Sequence, residues 1–165
     1  MIIPDMYVKS IFDINYDKLR KKNIKALLYD FDNTILEKGN YEVSDKTIEL
    51  FDKLKDDFII YVVSNSLHSK KLEKVCKELK VPYIGKARKP FKSGYKKLKI
   101  DAKIDEIAMI GDQIITDVWG SKRMGYYSIL IDPISKEEMM FTRINRKLEK
   151  RIMKNNNLVR GKYYD

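Results

Sequence analysis

Ala26-Leu27-Leu28-Tyr29-Asp30-Phe31-Asp32-Asn33-Thr34 passes from an apolar, strand-like run straight into two carboxylates, an amide and a hydroxyl. The arrangement recurs. Phe58–Val63 is an almost unbroken apolar run ending at Ser64-Asn65, and Glu106–Ile110 ends at Gly111-Asp112-Gln113-Ile114-Ile115-Thr116-Asp117. A shorter run, Tyr83–Lys86, precedes Arg88-Lys89-Pro90. Open α/β sheets bind ligands at the carboxyl ends of their parallel strands. Asp30, Asp32, Asp112, Asp117, the Ser64 hydroxyl and the Lys89 ammonium would then meet at one sheet edge. Such a set holds a divalent cation, attacks a phosphoryl group and neutralises its charge, so phosphatase chemistry is expected.

The segments between these runs have helical spacing. Ser44–Lys55 offers Ser44 as N-cap and Ile48, Leu50, Phe51 and Leu54 as an apolar face. Leu67–Leu79 ends before Val81-Pro82, Phe91–Leu98 lies behind Pro90, Thr116–Met124 is stopped by Gly125, and Tyr126–Ile131 reads as another strand. Strands alternating with helices call for a parallel sheet with right-handed crossovers. The expectation is an α/β, three-layer, Rossmann-like fold: a central parallel sheet of about five strands with helices on both faces. With no repeat, low-complexity tract or Gly/Ser linker, residues 1–165 are expected to form a single domain. Residues 1–25 would supply an N-terminal arm or edge strand around Tyr7–Phe12, and 136–165 a basic helix and tail.

A chain of 165 residues, 44% apolar, can pack a core without disulfides. Its one cysteine, Cys76, is expected to be an inert, half-buried thiol, which suits a reducing cytoplasm. No signal peptide follows Met1-Ile2-Ile3, and no apolar run is long enough to cross a bilayer. The expected location is cytoplasmic, or peripheral at the inner face of the membrane. The net charge of +10 is uneven: Lys86, Arg88, Lys89, Lys92, Lys96, Lys97 and Lys99 lie in an acid-free run. Such a surface attracts anionic partners, whether lipid, nucleic acid or phosphorylated substrate, without choosing among them.

Asp30 and Asp32 are two apart and would point the same way on an extended strand. In different environments, one serves as nucleophile and the other as proton donor. Asp112 repeats the acidic strand end, and together they supply the oxygen ligands that Mg²⁺ requires. Asp112 and Asp117 would also be explained singly as acids at a helix N-terminus. Ser64 with backbone amides before a helix could cradle phosphate oxygens, Asn65 being adjacent. Lys89 could offset the carboxylates and the transferring group. His68 is read as a surface residue.

In order and identity, Asp30-Phe31-Asp32-Asn33-Thr34, Ser64, Lys89-Pro90 and Gly111-Asp112…Asp117 resemble the four motifs of the haloacid dehalogenase (HAD) superfamily. Lys86-Ala87-Arg88-Lys89-Pro90 and Gly111–Asp117 look like its YqeG-type phosphatases of subfamily IIIA. Tyr7-Val8-Lys9-Ser10 and Phe141-Thr142-Arg143-Ile144-Asn145-Arg146-Lys147 are similar to that family's ends. The resemblance implies a HAD fold in which Asp30 becomes an aspartyl-phosphate and Asp32 protonates the leaving alkoxide, then activates water. Asp30, the Asp32 carbonyl and Asp112 would bind Mg²⁺. Ser64 and Asn65 would hold phosphate, Lys89 would bind phosphate and stabilise the intermediate, and Thr34 and Asp117 would support the site. Gly39 and Arg88 are further contacts to consider.

Thr34 and Ser64 are too close for an inserted cap domain, as are Ser64 and Lys89. An open site favours a phosphate displayed on something large. Phe141, Ile144, Leu148 and Ile152 would form one helical face, with Arg143, Arg146, Lys147, Lys150, Arg151 and Lys154 around the rest. That helix would pack its stripe on the sheet with its basic residues in water, a placement compatible with resting on anionic lipid. Similar proteins include organellar phosphatidylglycerophosphate phosphatases, which makes that lipid the leading expected substrate. A nucleic-acid end, a phosphoprotein or a nucleotide would use the same residues. A non-catalytic RNA- or ribosome-binding module on this scaffold is the alternative of a different class, with Tyr83, Tyr95, Tyr126 and Tyr127 available to stack on bases.

Overall fold

The structure, a computed structural model, describes residues 2–40, 42–67, 69–135 and 140–165, with the backbone alone at Ser69 and at 140–145. His68 and the side chains of Phe141, Arg143 and Ile144 lie outside the described residues.

Six strands form one sheet: β1 (Met6–Val8), β2 (Ala26–Tyr29), β3 (Ile59–Val63), β4 (Tyr83–Ile84), β5 (Ile107–Gly111) and β6 (Tyr127–Ile131). Their spatial order is β1-β6-β5-β2-β3-β4, and every neighbouring pair is parallel. The extra strand relative to the expected five is β1, so the Tyr7–Phe12 region begins as an edge strand. All residues of β2 and β5 are buried, the consequence of covering both faces of a central parallel strand. From β2 the chain builds outward to β3 and β4, then returns to lay down β5 and β6 on the other side. The crevice between β2 and β5 is therefore the topological switch point, where such sheets bind ligands.

The helices are α1 (Tyr16–Lys21), α2 (Asp45–Leu54), α3 (Ser69–Leu79), α4 (Lys92–Tyr95), α5 (Trp119–Met124) and α6 (Met140–Asn155). Leu19, Phe51, Leu54, Leu72, Val75 and Leu79 bring α1, α2 and α3 onto one face. Tyr95 and Met124 bring α4 and α5 onto the other, and Ile152 and Met153 of α6 pack against Tyr7 and Leu130 at the β1–β6 margin. Alternation along the strands puts Tyr7 and Leu130 on the side opposite the large cluster.

Local chemistry explains the boundaries. Ser44 caps α2, its Oγ accepting the Thr47 N–H at 3.2 Å. The strand expected over Tyr83–Lys86 stops at Ile84, since Lys86 and Arg88 adopt left-handed φ of 50° and 57°. The helix expected over Phe91–Leu98 is only the turn Lys92–Tyr95. The helix expected to begin at Thr116 begins earlier, as a π-helical turn over Ile114–Val118 that leads into α5. Cys76 is fully buried rather than half-buried, and burial pushes its thiol up to about 12. The C-terminal tail returns to the β1 edge, where Tyr7 N–H donates to the Lys162 carbonyl (3.1 Å) and Gly161 N–H to the Tyr7 carbonyl (2.7 Å). That pairing covers an otherwise open sheet edge.

Candidate active site

The exits of β2, β3 and β5 carry the residues that the strand-end pattern singled out. Asp30 follows β2 directly and continues its ladder, its N–H donating to the Ile110 carbonyl at 2.8 Å. Lys89 Nζ reaches Asp30 Oδ1 at 2.5 Å and Asp117 Oδ1 at 2.7 Å. Thr34 Oγ1 donates to Asp30 Oδ2 at 3.3 Å. One carboxylate oxygen from each of Asp30, Asp112 and Asp117 lies within 4.8 Å of the others. All three acids and Lys89 are buried.

Two glycines allow this closeness. A Cβ at Gly111 would overlap the Asp117 side chain, and one at Gly94 would overlap the Ala87 carbonyl in the loop that carries Lys89. The π-helical turn aims Asp117 inward, and its Oδ2 accepts the Gln113 N–H at 3.1 Å. Gly111→Ala must displace Asp117, and overpacking of this kind costs about 1–3 kcal/mol. A lowered melting temperature is the expected result; an unchanged one would contradict the packing argument.

Burial alone would lower the Lys89 pKa, but Asp117 and Asp30 outweigh it and hold the ammonium firmly charged. Asp112 is pushed up to about 8, by burial first and then by Asp30 and Asp117, although Arg146 opposes the shift. Asp117 moves the same way, mainly through burial and against the pull of Lys89.

The remaining expected residues divide. Ser64 is buried at the β3 exit and its Oγ accepts the Ser66 N–H at 3.0 Å. Asn65 is spent on Lys89: Oδ1 accepts the Lys89 N–H at 2.7 Å, and Nδ2 donates to the Lys89 carbonyl at 2.9 Å. The Asn65 side chain thus holds the lysine loop. The Asp32 carboxylate stands apart from the acid cluster, half exposed and 3.7 Å from Lys71 Nζ. A carboxylate beside a lysine differs in environment from buried Asp30.

Sequence reasoning placed Arg146 on a solvent-facing basic surface, and the structure corrects this. Arg146 turns inward onto Asp112 and bonds Glu149, which is buried, whereas Leu148 of the expected apolar stripe is 50% exposed. Among the described side chains of α6, those turned inward are Arg146, Glu149, Ile152 and Met153. One signal was available: Glu149 is the lone acid within α6.

A cation fits these residues. Asp112 Oδ1 is buried and has no hydrogen-bond partner among the described residues, whereas both oxygens of Asp30 and of Asp117 have donors. With every group ionised, the cluster of Asp30, Asp112, Asp117 and Glu149 with Lys89 and Arg146 carries a formal excess of two negative charges, which favours a divalent cation.

The family described as mitochondrial PGP phosphatase matches residues 1–135. The chain belongs to that family. It is 33% identical over 153 residues to the probable phosphatase YqeG of Bacillus subtilis (strain 168), covering 92% of this chain and 89% of the relative. It is 25% identical over 165 residues to the chloroplastic/mitochondrial phosphatidylglycerophosphate phosphatase 1 of Arabidopsis thaliana, covering 93% of this chain and 47% of that protein. A solved HAD phosphatase from Thermococcus onnurineus superposes with TM-score 0.56 over 78% of this chain and 97% of the other, at 16% identity, a likeness of fold. The protein is a phosphatase with a HAD-like fold, and among the described residues no helix is long and apolar enough to cross a membrane.

Proposed function

We propose that this phosphatase is a Mg²⁺-dependent phosphomonoester hydrolase that works through an aspartyl-phosphate on Asp30, and that it acts on phosphatidylglycerophosphate at an anionic membrane surface. The observation that carries the reading is Asp30, buried at the switch point and held by Lys89 and Thr34. An Asp30 carboxylate oxygen attacks phosphorus, and Asp32 gives its proton to the departing alkoxide. Asp32 then takes a proton from water, which attacks the same phosphorus, releasing phosphate and restoring Asp30. Lys89 neutralises charge gathering on the phosphoryl oxygens, while Ser64 receives one of them. Asp30, the Asp32 carbonyl and Asp112 would hold Mg²⁺, which when bound supplies charge neutralisation and alignment.

The mouth supports a lipid. Leu67, Phe91 and Ile134 are 76%, 61% and 51% exposed on loops that leave β3, β4 and β6. Leu67 lies three residues beyond Ser64, Phe91 two beyond Lys89, and Ile134 N–H donates to the Asn33 carbonyl at 3.1 Å. Apolar tips around a mouth set among basic residues suit an interfacial, anionic substrate. Among the described residues, the connections between Thr34 and Ser64 and between Ser64 and Lys89 hold only the sheet's own helices and strands. The nucleic-acid reading gains less: Tyr95 and Tyr126 are buried and unavailable for base stacking.

The substrate is tested by comparing kcat/KM for phosphatidylglycerophosphate in vesicles, nucleotides, phosphopeptides and 3′-phosphorylated oligonucleotides. Preference for the lipid is expected, and preference for any other member of the panel rejects it.

The cation is tested through pH. Asp112, raised to about 8 in the folded metal-free protein, keeps a proton there that the unfolded chain loses near its ordinary value. Its contribution to metal-free stability is therefore greatest at low pH and fades as pH rises toward that value. Because bound Mg²⁺ competes with that proton, the rise in melting temperature on adding Mg²⁺ should be larger near about pH 8 than near about pH 5. A rise independent of pH would contradict a ligand role for Asp112.

A further inference from the structure

The family match ends at residue 135, yet the candidate cation site is completed by residues beyond it. Arg146 Nη2 bonds Asp112 Oδ2, and Nη1 donates to the Asp112 carbonyl at 2.8 Å and to Glu149 Oε2 at 3.0 Å. Glu149 Oε1 in turn accepts the Ile115 N–H at 3.2 Å, tying α6 to the π-helical turn that bears Asp117. One guanidinium thus grips both the side chain and the backbone of Asp112.

We propose that Arg146, oriented by Glu149, is a positioning residue for the cation site: it holds Asp112 Oδ2 and leaves the unpartnered Oδ1 as the atom for the metal. The inference rests on the reading of Asp112 as a Mg²⁺ ligand.

The charge pattern supports it. A bare arginine beside a metal ligand would repel an incoming dication. Glu149 neutralises this one, so Asp112 gains an anchor at little electrostatic cost to the cation. Groups that hydrogen-bond a metal-ligating carboxylate fix its orientation, and their loss weakens metal binding by about 10- to 100-fold. A cavity of about 50 Å³ borders Asp112, Arg146 and Glu149. It leaves space for water to take over bonds given up by a shorter side chain, so substitution at Arg146 need not collapse the fold.

The test is calorimetric titration of the full chain with Mg²⁺, on wild type, Asp112→Asn, Arg146→Gln, Arg146→Lys and Glu149→Gln. Arg146→Gln should weaken Mg²⁺ about 10- to 100-fold, with Arg146→Lys intermediate because one ammonium cannot serve both Asp112 atoms and Glu149. At saturating Mg²⁺, kcat should return to within a few-fold of wild type, a split that a merely structural role would not give. A structural role would instead lower the melting temperature of the metal-free protein and leave Mg²⁺ affinity alone. Should Arg146→Gln not fold, Arg146→Lys and Glu149→Gln carry the same prediction.

Wild-type binding that is lost in Asp112→Asn but unchanged in Arg146→Gln overturns this inference and leaves the cation site standing. Tighter binding in Arg146→Gln also overturns it, since the arginine would then be a competitor. No binding by wild type, or equal binding by Asp112→Asn, overturns the metal reading and this inference with it.

Discussion

Asp30→Asn is expected to abolish Mg²⁺-dependent hydrolysis of a generic aryl phosphate, by at least about 10³-fold in kcat, since removal of a covalent nucleophile leaves only binding and electrostatic effects. The amide is isosteric and can still accept from Lys89 Nζ, which keeps its second partner, Asp117, at 2.7 Å. One charge also leaves a buried group of three carboxylates. The metal-free variant should therefore fold and melt close to wild type, so that the loss is chemical. Retained turnover in a clean preparation would refute Asp30 as nucleophile.

Lys89→Met is expected to damage both stability and catalysis. The ammonium is 1% exposed and pairs with Asp30 and Asp117, so the substitution leaves three neighbouring carboxylates without it. Breaking a buried pair from one side costs about 3–5 kcal/mol. In a domain of this size that is a fall of roughly 6–20 °C in melting temperature. Loss of one preorganised cation at the transferring group should also lower kcat by about 10²- to 10³-fold. Added Mg²⁺ should recover more stability in Lys89→Met than in wild type, because the unscreened carboxylates gain more from a cation. A variant that melts with wild type and turns over normally would remove Lys89 from the site.

The strand exits were legible in the sequence because two signals coincide there: an apolar run that only a doubly covered strand tolerates, then a polar residue that such a strand would not bury without purpose. Asp30, Ser64 and Asp112 were placed at the sheet's edge in this way, and Asp117 by its spacing just beyond. Asn65 was visible, but its bonds to the Lys89 backbone depend on two loops meeting, and spacing along the chain says nothing of that. The early start of the π-helical turn at Ile114 follows from the inward aim of Asp117 and the absence of a Cβ at Gly111, a tertiary fit rather than a propensity. Arg146 lies 34 residues from Asp112 and reaches it only because α6 packs by Ile152 and Met153 on the sheet margin. A helical wheel rewards the apolar stripe, which places Ile152 rightly but sets Leu148 inward and Arg146 in water, the reverse of what the structure shows for those two. The β1 edge was similarly undecided, since three residues of strand carry little period and their cover comes from the far end of the chain.

The central claim is a covalent phosphoryl group on Asp30, and borohydride trapping tests it most directly. The wild-type enzyme is acid-quenched during turnover, reduced and digested, and mass spectrometry locates the aspartate converted to homoserine. Conversion at Asp30, dependent on substrate and absent from Asp30→Asn, is the predicted result. Conversion at Asp32 or elsewhere, or none despite steady turnover, would contradict it.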